Sequence, residues 1–307
     1  MAVSTSSTPP SSDRAVEWAA DRAAIDRALA EIGARATLTL GPAVGDAVRY
    51  SLLGEGKRLR GILCLAAYRT AGGNADATGL AAAIEIVHAY SLVHDDLPCM
   101  DDDDMRRGRA TVHRVFGVRV ATAAGVAMVP LAARTALDAA RALGLDAGGQ
   151  AELIAELMRA SGAGGMVGGQ LLDLEGEGTA LDLRDLERIH RAKTGALIRS
   201  SIVLGGLAVR AEAHQLAALA RFGEAIGLAF QIADDVLDVT ATTSRLGKTA
   251  GRDVDLGKST YPALLGVDGA QSRARALVVE GCGELRAAGL LSTSLDALAR
   301  FVVERES

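Results

Sequence analysis

Three features of this 307-residue sequence predict an all-α fold. Alanine and leucine are abundant while aromatic residues make up 3% of the chain, a composition that favours helix over sheet by intrinsic propensity. Apolar residues recur at three- and four-residue spacing over long stretches, and strict alternation is scarce. A hydrophobic content of 49% is ample for a sizeable core.

The elements follow in order. Residues 1–12, MAVSTSSTPPSS, are small and polar with two prolines and lack the apolar segment of a secretory signal, so they read as a disordered tail. Residues 13–307 show no composition break and read as one domain. Asp13 to Ala36 starts on an N-cap residue and places Val16, Ala20, Ala23, Ile25 and Leu29 at helical spacing. The stretch SLLGEGKRLRGILCLAAYRTAGG carries glycines, a basic cluster and an apolar helix ending at Gly72 and Gly73; Lys57 and Arg60 are expected one turn apart. Ala77 to His94 is nearly all apolar, which predicts an interior helix stopped by Pro98. Further helices are predicted at Val118 to Leu143, Gly149 to Ala160, Leu183 to Val209, Glu212 to Val239 and Arg273 to Ala288.

Composition excludes several classes. A net charge of −5 and few aromatics leave no electrostatic footprint or stacking platform for nucleic acid. The uncharged run Val120 to Ala133 contains Gly125 and Pro130 and falls short of the ~20 residues that span a bilayer, so a buried helix is expected and no membrane span. Cys64, Cys99 and Cys282 are odd in number and contain no CxxC pair, as expected of reduced thiols in the cytoplasm. No GxxxxGK[ST] loop follows a strand, which disfavours a P-loop nucleotidase.

Chemistry concentrates in two places. HDDLPCMDDDDMRRGR, His94 to Arg109, packs six carboxylates into ten residues and then turns basic. Two carboxylates ~4 Å apart repel by roughly 4 kcal/mol at an effective dielectric near 20. An isolated acidic run is ordinarily a solvated loop, but this one follows the interior helix, where His88 and Asp95 share a face. A second apolar helix ends in GLAFQIADDVLDV, where Gln231, Asp234, Asp235 and Asp238 fall at i, i+3, i+4 and i+7 and form one polar stripe. Opposed carboxylates suit Mg²⁺, which takes one or two of them plus waters and substrate phosphate. Neither cluster has the alternation and glycine of an EF-hand. Lys57, Arg60, Arg106, Arg107, Lys193, Lys248 and Lys258 are the candidate phosphate cations, several within glycine-bearing segments.

These residues carry a family resemblance. GEGKRLRG, HAYSLVHDDLPCMDDDDMRRGRATVH, GGQLLDLEGEG, LERIHRAKTGALIRSS, GLAFQIADDVLDV and LGKTAGRDVDLGKSTYPALLG resemble, in order, the motifs of trans-isoprenyl diphosphate synthases, with bacterial farnesyl diphosphate synthases the nearest type. They span most of the chain from Tyr50 to Gly266. The resemblance implies a helical bundle around a deep central cavity, normally a homodimer. It implies that Asp95, Asp96 and Asp101 face Asp234, Asp235 and Asp238 and hold about three Mg²⁺ ions against an allylic diphosphate.

By the same resemblance, Lys57, Arg60, His88 and Arg107 hold the diphosphate of isopentenyl diphosphate, and Arg106, Lys193, Lys248 and Lys258 that of the allylic partner, dimethylallyl or geranyl diphosphate. The implied reaction ionises the allylic C–O bond, adds the isopentenyl double bond to the cation and loses a proton. Thr194 and Gln231 offer oxygen dipoles to the cation. Ser91 lies one helical turn before Asp95, and Tyr90 is on its flank, about 7.5 Å down the axis by helix rise. A ring at Tyr90 is expected to stop chain growth at the fifteen-carbon farnesyl product.

Cys99 also occurs at this place in twenty-carbon relatives, which keeps a geranylgeranyl product open. A non-catalytic subunit of a heteromeric synthase is the other alternative, although both acid and lysine sets are intact. A His-Asp phosphohydrolase leaves the Gln231 to Asp238 stripe unexplained, and a terpene cyclase leaves Lys57 and Arg60 without a role. Two positions depart from the family pattern: Val126 replaces an acid in Gly125-Val126-Ala127-Met128, and Gly61 stands where proline is common.

Overall fold

The computed structural model describes residues 12–240 and 259–304, with side chains from residue 17. Lys248, Lys258 and residues 1–11 of the expected tail lie outside the described residues. Among the described residues the regular structure is helical apart from one hairpin of two-residue strands. Its elements are α1 (Ser12–Leu52), α2 (Leu59–Thr70), α3 (Thr78–Asp95), β1 (Met105–Arg106), β2 (Arg109–Ala110), α4 (Val112–Phe116), α5 (Val118–Ala142), α6 (Ala147–Ser161), α7 (Met166–Gly176), α8 (Leu183–His190), a π-helical turn (Arg191–Gly195), α9 (Ala196–Ala208), α10 (Ala213–Thr240), α11 (Tyr261–Ala287) and α12 (Thr293–Glu304).

Helix α3 packs against α1, α2 and α5, and its residues from Leu80 to Val87 are all buried. Such all-round burial is what an apolar helix without a polar face requires. On the other side α9 bridges α2 and α10, and α10 packs along α11. Gly61 has a physical reason here: its amide donates to Oε1 of buried Glu85 at 2.9 Å, a bond that a proline cannot make. Cys64 and Cys282 are buried free thiols, Cys99 is exposed, and burial pushes the Cys64 thiol up to about 12.

Several boundaries differ from expectation. Helix α1 runs on to Leu52 through a kink at Gly41 and Pro42. Helix α2 starts only at Leu59, because Arg58 takes a left-handed conformation (φ 51°, ψ 31°), so Lys57 precedes the helix instead of lying a turn from Arg60 within it. The helix expected from Leu183 to Val209 is interrupted by the π-helical turn, and α7 and α12 were not anticipated. By length and mean hydropathy, α5 (1.5) and α10 (1.4) could each cross a membrane, which extends the shorter run read from the sequence. In α10 the most apolar window is 61% buried within the protein, whereas in α5 it is 33% buried, and Val126 is 61% exposed there.

Two glycines set the position of the π-helical turn. A Cβ on Gly169 of α7 would lie 2.2 Å from the Lys193 backbone nitrogen, and a Cβ on Gly227 of α10 would lie 2.8 Å from the Gly195 Cα. Backbone therefore meets backbone on both flanks of residues 191–195. Gly169→Ala and Gly227→Ala are each expected to cost about 1–3 kcal/mol of stability through overpacking. Gly148→Ala, exposed in the first turn of α6 where a Cβ would make only an ordinary contact with Asp146 Oδ1 at 3.5 Å, is expected to stabilise by about 0.5–1 kcal/mol. Chemical denaturation of the three variants checks the contrast, and equal effects would remove the close-approach argument.

Candidate active site

The acid-then-basic order of the first motif has a structural counterpart. Helix α3 ends at Asp95, and the Asp101 amide donates to the Asp95 carbonyl at 2.9 Å, folding the loop back on the helix end. The β1–β2 hairpin then returns Arg106 over the acids: its Nε donates to Asp96 Oδ1 at 2.6 Å and a terminal nitrogen to Asp103 Oδ2 at 3.3 Å. Thr111 Oγ1 donates to the Asp103 carbonyl at 2.7 Å and fixes the far side of the loop. Burial pushes both Asp95 and Asp96 up to about 6. Lys193 opposes the shift at Asp95 while Asp101 and Asp173 add to it; Arg106 opposes it at Asp96.

A cavity opens beside Asp96, lined by Tyr50, Arg58, His88, Arg106, Arg107 and Arg109 among others. Burial holds the His88 imidazole well below its usual range, and the charges of Arg60, Arg107, Arg106 and Arg58 act in the same direction, so His88 is neutral at pH 7. Arg107 donates to the Glu55 carbonyl at 2.7 Å, and the Arg109 guanidinium lies 4.2 Å from the Tyr50 ring centroid. Arg58, to which the sequence reading gave no role, is held in this cavity by Asp26 (2.7 Å), the Gly54 carbonyl (2.7 Å) and the Leu52 carbonyl (3.1 Å). Lys57 lines a different cleft, between α1, α2 and α12, with Trp18 and Phe301. The left-handed Arg58 places consecutive side chains in separate cavities.

The second cluster lies on α10. Asp235 and Asp238 are each 3% exposed, and Asp234 is half-buried. Asp235 accepts from Gln231 Nε2 at 3.0 Å through one oxygen and from the Tyr261 amide at 3.1 Å through the other. Gln231 in turn accepts from Thr194 Oγ1 at 2.8 Å. The neighbouring residue Lys193 donates to Asp173 Oδ2 at 2.6 Å and bears electrostatically on Asp95. Two consecutive residues of one π-helical turn thus serve different helices: Lys193 is bonded to Asp173 of α7 and acts by charge on Asp95, and Thr194 is bonded to Gln231 of the second stripe.

Tyr90 is half-buried against the core with its ring edge-on to His94, centroids 4.9 Å apart, and burial followed by the Asp95 charge raises its hydroxyl pKa. Ser91 Oγ donates to the His88 carbonyl at 2.8 Å. Val126 lines neither of the two cavities described.

The sequence model of the polyprenyl synthetase family matches residues 42–286. The chain belongs to the polyprenyl synthetase family. It is 45% identical to the farnesyl diphosphate synthase of Escherichia coli strain K12, over 85% of this chain and 89% of that protein. It is 41% identical to a chloroplastic geranylgeranyl pyrophosphate synthase of Capsicum annuum, over 86% of this chain and 72% of that one. Among solved structures, a geranyltransferase from Helicobacter pylori complexed with magnesium and isoprenyl diphosphate superposes with a TM-score of 0.81 at 30% identity, covering 97% of this chain and all of that one.

In this polyprenyl synthetase the donor set fits magnesium on its chemistry: oxygen-only carboxylates, several of them buried, with Asp95 and Asp96 pushed upward by burial. Among the described residues no three Asp, Glu, His or Cys side chains form a ready-made metal cage. Magnesium does not demand one, since it keeps waters and recruits substrate phosphate. Sequence reasoning missed Asp173 and Gln170 on α7. Their signal was present: two polar residues at i and i+3 in the apolar run GGQLLDLEG, the same logic that found the Gln231 stripe.

The acids make a pH-dependent prediction. Folded Asp95 titrates near 6 against 3.8 for the ordinary side chain, so between those values the folded protein holds a proton that the unfolded chain has released. Stability therefore falls as pH rises through that window, and Asp95 is a net liability above it when metal is absent. Asp95→Asn in EDTA is expected to raise stability at pH 7.5 by on the order of 1 kcal/mol, and the gain should vanish below pH 4. Thermal melts across pH check this; an unchanged or lowered midpoint at pH 7.5 would show that the charge is already neutralised.

Proposed function

We propose that this family member is a short-chain trans-prenyltransferase that condenses isopentenyl diphosphate with dimethylallyl and geranyl diphosphates, head to tail, to give farnesyl diphosphate. The observation that carries the reading is an arginine-lined cavity set against the first acidic cluster, supported by one turn whose Lys193 acts by charge on Asp95 and whose Thr194 is bonded to Gln231 of the second stripe. Residues 13–307 act as one catalytic domain. Asp95, Asp96, Asp101, Asp234, Asp235 and Asp238 are the side chains that would hold about three Mg²⁺ ions. Bound magnesium would supply Lewis-acid neutralisation of the diphosphate leaving group.

The chain's own residues divide the remaining work. Arg106, Lys193, Lys248 and Lys258 bind the allylic diphosphate. Arg60, His88 and Arg107 bind that of isopentenyl diphosphate, where guanidinium forks suit phosphate oxygens, while Lys57, expected from the sequence to join them, lines the separate cleft beside Trp18 and Phe301. A neutral His88 donates one hydrogen bond there without adding charge. The hydroxyl hydrogen of Thr194 is committed to Gln231, which leaves oxygen lone pairs to face positive charge developing on the allylic carbon. A homodimer is supported by the exposed apolar face of α5, where Val118 and Val126 are 47% and 61% exposed, as the surface a second copy would cover. Cytoplasmic residence is supported by the free thiols.

Purified protein with Mg²⁺, labelled isopentenyl diphosphate and dimethylallyl or geranyl diphosphate is expected to yield farnesyl diphosphate, and EDTA to abolish it. Phosphate release without elongation, or a cyclic hydrocarbon, would overturn the reading. Tyr90→Ala is expected to shift the products to twenty carbons or longer by chromatography; an unchanged profile would remove Tyr90 as the stop.

A further inference from the structure

Helix α7, formed from the GGQLLDLEGEG motif, has no role in the reaction as described so far. It reaches the site through Lys193, which it fixes at both ends. Its Gly169 lies against the Lys193 backbone, and its Asp173 accepts from the Lys193 ammonium at 2.6 Å. The two side chains are 25% and 17% exposed, so the pair is largely shielded from water. One turn before Asp173, on the same face, the side chain of Gln170 is nine-tenths buried with neither amide atom hydrogen-bonded among the described residues.

Lys193 has a second acid within its field. Of the charges acting on Asp95, Lys193 is the largest. A lysine carries its charge on a flexible four-carbon stem and will follow the stronger carboxylate. If Asp173 were absent, the ammonium would be drawn to Asp95 and would neutralise a carboxylate that the proposed reaction reserves for magnesium.

We propose that Asp173 is a positioning residue for prenyl transfer: it holds the Lys193 ammonium off the first acidic cluster, leaving Asp95 to magnesium and Lys193 to the allylic diphosphate. The inference rests on the prenyltransferase reading of Lys193. It makes Asp173 matter for metal and allylic substrate and not for isopentenyl diphosphate, a division that a merely structural aspartate would not produce.

The test is a double-mutant cycle on the full-length protein with Asp173→Asn, Lys193→Ala and both together, alongside Asp173→Glu. Asp173→Asn is expected to raise the Mg²⁺ concentration for half-maximal activity and to lower kcat/KM for the allylic diphosphate by about 10–100-fold, as second-sphere partners of metal sites do. KM for isopentenyl diphosphate and the apo melting temperature are expected to stay near wild type, and Asp173→Glu to recover part of the loss. In the Lys193→Ala background, Asp173→Asn should have little further effect on magnesium dependence. Equal losses in both backgrounds, or parallel changes in both substrates and in melting temperature, would overturn the proposal. Calorimetric binding of inorganic diphosphate with Mg²⁺ gives the same cycle without turnover. A wild type without prenyl transfer would refute the prenyltransferase reading, while a binding loss that depends on Lys193 would still support Asp173 and its absence would overturn it.

Discussion

The polar organisation of this protein answers one constraint: carboxylates crowded at the C-terminal ends of two largely buried helices. Three effects of the same sign act on them. Burial disfavours their charge, like charges repel, and the negative end of the helix dipole adds to both. The upward displacement of Asp95 and Asp96 to about 6 measures how incompletely the protein offsets this by itself. Each polar contact nearby is a partial answer: Arg106 returns on a hairpin to Asp96, Gln231 and the Tyr261 amide take the two oxygens of Asp235, and Lys193 stands within range of Asp95. A site built this way is expensive when empty and favourable once cations and a polyanion enter, a property of binding sites more than of structural networks.

The π-helical turn is how a single segment serves both clusters. An extra residue in one turn breaks the regular helical register, so side chains are presented at angles an α-helix would not allow. Here it sends Lys193 toward α7 and Thr194 toward α10. Such a turn is tolerated because glycine backbone meets it from both neighbouring helices, leaving no Cβ to force it outward. Packing and chemistry are therefore coupled at the backbone: the residues that let three helices approach closely also determine where the ammonium and the hydroxyl point.

What was legible in the sequence follows from the kind of regularity involved. The Gln231 to Asp238 stripe is a matter of spacing along one helix, and spacing is what a sequence displays. The interior position of α3 follows from its apolar circumference in the same way. The Asp96–Arg106 contact was not legible, because it depends on a hairpin that folds the chain back on itself. Nor was the π-helical turn, since RAKTG carries no glycine or proline before Gly195 to mark a break between α8 and α9. Helix α7 was missed because glycines depress helix propensity, although here they serve close approach. The parting of Lys57 and Arg58 into separate cavities turns on one left-handed residue, and no composition rule encodes that.

The distribution of charge bears on how two chemically similar diphosphates would be told apart on the proposed reading. The cavity beside Asp96 draws its charge from Arg58, Arg106, Arg107 and Arg109, and guanidinium keeps its proton at any physiological pH. Its histidine is held neutral by burial and by the charges of Arg60, Arg107, Arg106 and Arg58, and Glu85, 4.0 Å from Arg58, offsets part of that charge. This region is fixed as positive and needs no metal to attract an anion. The neighbouring acidic ends are the reverse: they repel a bare diphosphate and accept one only with cations between. A metal-free diphosphate and a metal-bound one are thus directed to adjacent positions by the sign of the local charge, before any contact with the prenyl chain. Asp96 marks the boundary, because Arg106, the residue bonded to it, belongs to both regions.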